Sequence, residues 1–506
     1  MKKQLFLKNA AVLTVCSLLM SVGGMAMRVF QSAMIGTEGM GLLQLLLSVY
    51  YFTTNLAISG LNLAVTRLVS ESMAKNDLPV PLILRRCLLL CLGTGSCAGL
   101  LLFGGAPWFG SVLLNDARTV ASLRVLAFSL PFFSVSCCCR GYFLAVRNSL
   151  KPCLGQLLEQ LSGFAVSAVL LPHAAAQGLS AACGAIAIGM TVGELCGHLL
   201  IVVFTLRDLR KYRSTALRLQ SALPLQRILS ISVPIALGYY LRSALIAVEN
   251  VLIPAGLKQC GSSYAASLAA YGTVKGIALP TVQFPASFLS AFSLLLIPEV
   301  TQSHAVGHMQ DIRALAQRVF RICLRFSVLV VACFLVFGDT LGQALYGNRD
   351  VGRMLRILCP LVPFMYLDSI VDAMLKGLNE QVYSLKVNMS ESCIRIVSMI
   401  VLLPRFGLRG YLLALYISIL YNASLSIGRI MIKSKLRIDV RGWLICPALC
   451  AVLACLCGQV VQYLMRAAAN TPHGIALPIV CTVLLYFLLI SGQRKHARKN
   501  TIPHPV

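Results

Sequence analysis

Charged side chains are scarce in this sequence. Asp, Glu, Lys and Arg together make up 12% of its 506 residues, about half the share in an ordinary soluble domain. Hydrophobic side chains make up 58%, and the mean hydropathy is +0.81. So little charge over so long a chain excludes a soluble enzyme, a fibrous protein and a disordered chain. The composition therefore predicts an integral membrane protein.

Acidic residues are the scarcest of the charged groups, with 17 Asp and Glu against 44 Lys and Arg and a net charge of +27. In a soluble protein this excess would indicate nucleic-acid binding. Membrane proteins, however, collect Lys and Arg in their cytoplasmic loops. We therefore attribute the excess to topology and expect no nucleic-acid partner.

A framework of spaced cysteine pairs is also missing. Most of the 20 cysteines lie inside apolar segments, where cysteine serves as a small apolar residue. The run Cys137-Cys138-Cys139 points in three directions around one helix, so it cannot chelate one ion. We expect no metal site and no catalytic centre.

Fourteen apolar segments are long enough to cross a bilayer, since a helix needs about 20 apolar residues to do so. The first follows Lys2-Lys3, but it is too long for a signal peptide and is interpreted as a span. The predicted fold is an all-α polytopic membrane protein with these spans: 10–33, 41–66, 82–104, 120–145, 153–172, 179–205, 228–254, 266–297, 320–345, 354–378, 384–403, 409–431, 443–464 and 474–491.

Basic residues divide unequally between the two sides of these spans. With the amino terminus inside, the inner segments carry 31 Lys and Arg and the outer loops carry nine. This bias predicts cytoplasmic termini and an even number of spans. The longest connector has about 22 residues, too few for a folded domain, so we expect the protein to act within the bilayer.

An internal repeat relates the two halves at an offset of 232 residues. Segment 123–126 (LRVL) matches 355–358 (LRIL), and Glu159 matches Glu391. Six spans separate the halves, so both enter the membrane in the same direction around an axis along its normal. We predict two six-span lobes of an alternating-access transporter, divided as follows: an amino lobe at 1–206, a basic cytoplasmic linker at 207–227, a carboxyl lobe at 228–437, and two added spans with a cytoplasmic tail at 438–506.

Ionisable residues at membrane depth are costly and mark functional candidates. The cations are Arg28, Arg242, Lys275 and Arg395, and the acids are Glu159, Glu194, Glu249, Asp368, Asp372 and Glu391. Two i,i+4 pairs, Asp372 with Lys376 and Glu391 with Arg395, are expected to neutralise themselves. The other three cations have no acid at helical spacing. For them, anion binding in a cavity, salt bridging between the lobes and snorkelling to an interface all stay open.

Span eight is the most irregular. Lys275-Gly276 is followed by Pro280 and Pro285, and each proline removes a backbone hydrogen bond. Broken membrane helices line cavities or move as gates, although a simple kink is the alternative. We single out Gly276, Pro280 and Pro285 as candidates for gating.

Several segments resemble the stage V sporulation protein B group of the polysaccharide-exporter family. They are 35–42 (IGTEGMGL), 275–280 (KGIALP), 363–367 (PFMYL) and 404–407 (PRFG), and the likeness covers roughly residues 1–440. The resemblance implies membership of the multidrug/oligosaccharidyl-lipid/polysaccharide exporter superfamily. It also implies a flippase of the bacterial inner membrane for undecaprenyl-diphosphate-linked saccharides, including peptidoglycan precursors or those of the spore cortex.

The resemblance further implies roles for particular residues. Cavity cations would hold the diphosphate, which points to Arg28, Arg242 and Lys275, with Arg395 as a further candidate. A groove of the last two helices would take the lipid tail. A site for Na⁺ or H⁺ among spans seven, eleven and twelve would use Glu249, Asn388 and Glu391. We expect no other cofactor, a monomer among membrane lipids, and cell-wall or polysaccharide synthases as partners.

The main alternative is a cation-coupled multidrug exporter of the same superfamily. It would use Glu159, Glu194, Asp368 and Asp372 as coupling groups. A membrane enzyme is disfavoured because the outer loops offer few carboxylates or histidines, and a scaffold would not need cations within its spans. The sequence does not specify the glycan.

Overall fold

The computed structural model describes residues 2–58, 60–75, 80–210, 225–436, 439–469, 474 and 476–499. Within these ranges the chain is almost entirely helical and contains no strand, which confirms the predicted all-α class. Most of the predicted linker, 211–224, and the last residues of the tail, 500–506, lie outside the described ranges. The protein is a multi-pass membrane protein by the length and apolar composition of its helices.

Over those ranges, ten segments are long and apolar enough to span a membrane, or eleven when one bent pair is counted. The first of them, Val12–Met73, covers two of the predicted spans. The bent pair Ala117–Ala127 and Ser129–Ala145 corresponds to predicted span four, and the shorter apolar helix Ala476–Gly492 to span fourteen. Predicted span eight is divided among short helical segments and the helix Ala286–Ala305, and none of these is among the ten segments. The difference from fourteen thus reflects merged, short and interrupted helices.

The chain forms two compact units, of which the first comprises Met1–Gly272 and Ile396–Tyr411. Its core surrounds Leu68, Ile83, Tyr142 and Phe143, all nearly inaccessible to solvent. The domain boundaries predicted from the sequence divide the chain at other positions than these two units do, and they stay predictions. The helices of this unit are α1 (Lys2–Ile58), α2 (Leu61–Lys75), α3 (Val80–Pro107), α4 (Val120–Ala127), α5 (Ser129–Ala145), α6 (Leu150–Ala176), α7 (Leu179–Leu209), α8 (Leu225–Gln259) and α9 (Tyr264–Tyr271).

The second compact unit comprises Thr273–Arg395 and Leu412–Val506. Part of its core lies where Leu329, Ala454 and Tyr486 meet. Two helices, α15 and α16, contribute residues to both units. The helices that follow α9 are α10 (Leu279–Gln283), α11 (Ala286–Ala305), α12 (Met309–Tyr346), α13 (Arg349–Leu358), α14 (Val362–Gly377), α15 (Gln381–Phe406), α16 (Leu408–Ser434), α17 (Cys446–Ala469) and α18 (Ala476–Lys499).

Helix α1 is interrupted at Gly36. Fifty-seven residues would extend about 85 Å as one straight helix, far beyond the roughly 30 Å of a hydrocarbon core. Gly36 has φ 64° and ψ −171°, a conformation that residues with a Cβ rarely adopt. This glycine therefore separates α1 into the two arms that the sequence predicted as spans one and two.

The internal repeat is visible in where the helices break. α4 and α5 are separated at Phe128, and α13 and α14 are separated by the short 3₁₀ segment Cys359–Leu361. Adding the repeat offset of 232 to Phe128 gives position 360, inside that segment. The matching glutamates Glu159 and Glu391 lie in α6 and α15, at equivalent points of the two halves.

Helices α6 and α7 pack unusually closely along a seam of small residues. A methyl group at position 193 would lie 2.5 Å from the Glu159 carbonyl oxygen and 3.0 Å from the Gly163 Cα. Membrane helices pack in this way because apolar lipid provides no hydrophobic force between them, so close contact must hold them together. The seam consists of Gly155 and Gly163 on α6 and of Gly189, Gly193 and Gly197 on α7.

Candidate functional site

A polar cavity of about 460 Å³ lies within the first unit. Both arms of α1 line it together with α5, α6 and α7. The volume falls in the range of ligand-binding pockets, about 300–1,000 Å³. Its lining combines aromatic and apolar side chains with these polar ones: Arg28, Gln31, Gln44, Tyr50, Tyr51, Gln156, Glu159, Gln160 and Glu194.

Four glutamines and one arginine therefore face the same cavity from two helices. Gln31 and Gln44 lie on the two arms of α1, on either side of its break, and Gln156 and Gln160 lie one turn apart on α6. Each amide offers two N–H donors and an oxygen acceptor, and Arg28 offers a planar fork of donors. Such a set can bind neutral hydroxyl groups and an anionic group in the same ligand.

Hydrogen bonds hold parts of this wall in place. Gln160 Nε2 donates to the Met20 carbonyl at 2.9 Å, which ties α6 to the first arm of α1. The hydroxyl groups of Tyr50 and Ser129 are 2.8 Å apart, which ties the second arm to α5. The cavity is therefore bounded by helices that are connected to one another by side chains.

Three charged groups from different helices meet beside the cavity. Arg140 Nη1 on α5 is 3.4 Å from Glu159 Oε2 on α6, and the Arg140 side chain is 17% exposed. The guanidinium group also lies 5.2 Å from the centre of the Phe133 ring. Glu194 on α7 is buried and lines the same cavity as Glu159. Two carboxyl groups thus face one cavity, beside an arginine that pairs with one of them.

Sequence reasoning missed Arg140, because it counted this residue among the basic residues of the cytoplasmic side. The available signal was its position inside the predicted span 120–145. Glu159 and Glu194 were identified as intramembrane acids, and the structure places both on the cavity wall with Arg28. Their role in ion coupling stays a prediction.

In the second unit, both predicted i,i+4 ion pairs form. Lys376 Nζ is 2.6 Å from Asp372 Oδ2 on α14. Arg395 pairs with Glu391 on α15, and both of these side chains are largely buried. Arg395 Nε also donates to the Ser418 hydroxyl of α16 at 2.8 Å.

Amide and hydroxyl groups link these two pairs into one network. Ser384 donates to Asp372, and Asn388 Nδ2 donates to the Ser384 hydroxyl at 3.3 Å. Asn422 Nδ2 on α16 donates to Asn388 Oδ1 at 3.2 Å and to Glu391 Oε2 at 2.7 Å. The predicted residues Asp372, Asn388, Glu391 and Arg395 are thus brought together across α14, α15 and α16.

The other predicted side chains lie elsewhere. Arg242 is exposed on α8 and does not line the polar cavity, whereas Glu249 is buried on the same helix. Asp368 is half-buried on α14, one turn before Asp372. The functions predicted for these three residues stay predictions.

The predicted irregularity of span eight has a clear structural form. Lys275 and Gly276 lie in a π-helical segment, Gly272–Ala278, and Pro280 follows in the first turn of α10. The helix is interrupted by a turn at Phe284 and Pro285 before α11 begins. Lys275 is half-buried. A gating role for the break stays a prediction.

These helices define a polytopic membrane protein, and helices long and apolar enough to span a membrane line its cavity. The family model described as "Polysaccharide biosynthesis protein" matches residues 6–304, more than half of the chain. The chain therefore belongs to the polysaccharide biosynthesis protein family. The MatE family model matches residues 259–401.

Curated relatives extend this result. The chain is 22% identical to stage V sporulation protein B of Bacillus subtilis (strain 168) over 97% of its own length and 96% of that protein. It is 24% identical to the lipid II flippase MurJ of the same organism, over 84% and 82% respectively. The resemblance inferred from sequence motifs is confirmed, as is membership of the exporter superfamily.

A solved structure supports the fold. The lipid II flippase MurJ in its inward closed conformation superposes with a TM-score of 0.65 over 96% of this chain and 99% of that one, at 12% identity. At that level of identity the likeness shows a shared fold.

Proposed function

We propose that this protein is a flippase that carries a polyprenyl-diphosphate-linked saccharide across the bacterial inner membrane by alternating access. The family match and the two curated relatives, one of them named as a lipid II flippase, support this class of function. A peptidoglycan-type precursor is the proposed cargo, and synthases that make or consume it are proposed partners.

The observation that carries the proposal is the combination of Arg28 with four glutamines in one cavity. A diphosphate is anionic and pairs well with guanidinium donors. A saccharide presents many hydroxyl groups, which amides bind as donors and as acceptors. An amphiphile with both parts in its head group matches this lining, while its hydrocarbon tail stays in lipid.

Not every predicted cation fits this role equally. Arg395 is engaged with Glu391 and with Ser418, so we propose that it holds α15 to α16. Arg28 lines the cavity and is the proposed phosphate contact. Arg242 and Lys275 stay predicted contacts for the head group.

The test is ligand-induced thermal stabilisation of the purified protein by a polyprenyl diphosphate saccharide. Arg28→Gln is expected to weaken the binding of this ligand at least tenfold, which corresponds to about 1.4 kcal/mol of binding free energy or more. The stabilisation at a given ligand concentration should fall accordingly. Arg124→Gln is the matched control, because Arg124 is exposed on α4 and packs over Phe103 away from the cavity. Equal stabilisation of both variants and the wild type would contradict the assignment of Arg28.

One observation favours a second function, a cation-coupled multidrug exporter. Glu159 and Glu194 both face the cavity, and carboxylates there could attract organic cations. Under this alternative, organic cations stabilise the wild type and polyprenyl diphosphates do not. Under the flippase proposal the order is reversed.

We also propose that a proton drives the cycle through these two acids. Both carboxyl groups line one cavity and Glu194 is buried, so protonating one of them lowers the cost of keeping the two acids together away from water. Glu194 Oε1 is buried without a hydrogen-bond partner among the residues that the structure describes. The guanidinium group of Arg140, which pairs with Glu159, offsets only one negative charge.

A further inference from the structure

A second cavity, a lateral cleft of about 390 Å³, lies within the second compact unit. It is formed by α11, α12 and α18, so it is distinct from the polar cavity lined by α1, α5, α6 and α7. Its lining includes residues of α18 but none of α17, whereas the groove that the family resemblance implies is formed by both of these last helices. We call it the α12–α18 cleft.

The walls of the α12–α18 cleft are almost entirely apolar. Phe288, Ile322 and Phe487 line it while remaining exposed on the unit's surface, by 46%, 42% and 52% respectively. In a membrane protein, an exposed apolar cleft of this kind is filled by hydrocarbon, because water gains no hydrogen bonds there. An acyl chain is the hydrocarbon that a bilayer supplies.

One charged residue, Arg325, lines this cleft. Its Nη2 donates to the Gly442 carbonyl at 3.1 Å, and its own carbonyl accepts a hydrogen bond from the hydroxyl of the buried Tyr486. The Nη2 bond holds the guanidinium group beside the apolar walls, and the Tyr486 bond ties α18 to the backbone of α12 at this residue. A fixed guanidinium group next to a hydrocarbon site suits a lipid whose head group carries a phosphate.

Other positively charged side chains lie near Arg325 along α12. Arg321 lies one turn earlier on α12, with its guanidinium carbon 5.9 Å from the centre of the Trp443 ring, and Arg318 lies one turn before that. The predicted topology places this end of α12 on the cytoplasmic side. Basic pockets between membrane helices on that side bind anionic lipid head groups.

We propose that the α12–α18 cleft is a binding site for an anionic phospholipid of the cytoplasmic leaflet. One acyl chain lies along Phe288, Ile322 and Phe487, and the phosphate lies against Arg325, with Arg321 adding to the local positive potential. The bound lipid stabilises the packing of α18 against α12. This proposal does not depend on the flippase function.

The cleft can be blocked without changing its charge. Ser491 is exposed on α18 and lines the cleft, and Ser491→Trp would fill it with an indole ring. Leu488→Trp is the matched control, because Leu488 lies on the same helix, is 66% exposed and does not line the cleft. Arg325→Gln removes the positive charge and keeps a polar side chain with N–H donors.

The experiment measures the thermal unfolding midpoint of the full-length protein in detergent with added phosphatidylglycerol or phosphatidylcholine. We expect phosphatidylglycerol to raise the midpoint of the wild type and of Leu488→Trp by several degrees more than phosphatidylcholine does. Ser491→Trp is expected to lose this increment, and Arg325→Gln is expected to respond equally to both lipids. Native mass spectrometry should show a retained phosphatidylglycerol on the wild type and on Leu488→Trp only.

Three results would overturn the proposal. The first is that the two lipids stabilise the wild type equally, and the second is that phosphatidylglycerol stabilises Ser491→Trp as much as the wild type. The third is that Ser491→Trp loses stabilisation by a polyprenyl diphosphate but keeps stabilisation by phosphatidylglycerol. The last result would identify the cleft as a site for the cargo's own chain. Arg28→Gln distinguishes the two proposals, because it should leave the phosphatidylglycerol effect intact whether or not the flippase assignment holds.

Discussion

Replacing Gly193 by alanine is expected to force α6 and α7 apart at the point where Glu159 faces the polar cavity. The added methyl group would lie 2.5 Å from the Glu159 carbonyl oxygen, whereas ordinary contacts begin near 3.4 Å. The atoms it would meet, in Glu159 and Gly163, are all backbone atoms of α6, so no side chain can turn away to make room. The helices must therefore separate by about 0.9 Å at this level.

A separation of this size has a definite cost. A gap of about 0.5–1 Å forfeits a quarter to a half of each van der Waals contact along the seam, and overpacking of a tight interior costs about 1–3 kcal/mol. Alanine also gains about 1 kcal/mol of helix propensity over glycine. That gain must be removed from the comparison before the cost of the seam can be measured.

Gly184→Ala provides this correction, because Gly184 lies on the same helix and its added methyl group would contact nothing within 4 Å. We expect the free energy of unfolding of Gly193→Ala, measured by reversible denaturation in mixed micelles, to lie about 1–3 kcal/mol below that of Gly184→Ala. Transport should fall as well, since the shift moves the Glu159 carboxyl group relative to Arg140. A difference below about 0.5 kcal/mol would refute the close seam.

Two further predictions concern charged groups. Hydrogen bonds from Lys433, at 2.6 Å, and from Arg429, at 2.8 Å, hold the pKa of Glu380 below its ordinary value. Glu380→Gln should therefore lower the unfolding midpoint at neutral pH, and the difference from the wild type should disappear as the pH falls from about 4.3 through the lowered pKa. A difference that persists at low pH would contradict this assignment. Glu194→Gln should make flux in proteoliposomes insensitive to an imposed proton gradient while binding of the cargo is retained, and an unchanged response would exclude Glu194 as the proton site.

Much of this architecture follows from local sequence patterns. The apolar segments, the i,i+4 pairs such as Glu391 with Arg395, and the repeat that relates Glu159 to Glu391 are all properties of residues close in sequence or of self-similarity. Membrane helices make such patterns reliable, because a span must satisfy its backbone hydrogen bonds internally and must be apolar for about 20 residues. The same reasoning predicted the break in span eight from its prolines.

The convergence of distant side chains could not be obtained in this way. Arg140 and Glu159 are neighbours only because α5 packs beside α6, and Asn422 reaches Glu391 only because α16 packs beside α15. Helical periodicity states which side chains share a face of one helix but not which face meets which neighbour.

The sequence by itself therefore determined a polytopic α-helical membrane protein, its family and its intramembrane charges. The tertiary structure alone decided that Arg28 shares a cavity with four glutamines and two glutamates, whereas Arg395 is committed to an ion pair. The physical reason is that a charge inside a long apolar segment can be recognised from the sequence, because that segment must lie in the membrane, where charges are costly. The partner of that charge, by contrast, depends on how helices far apart in sequence pack together.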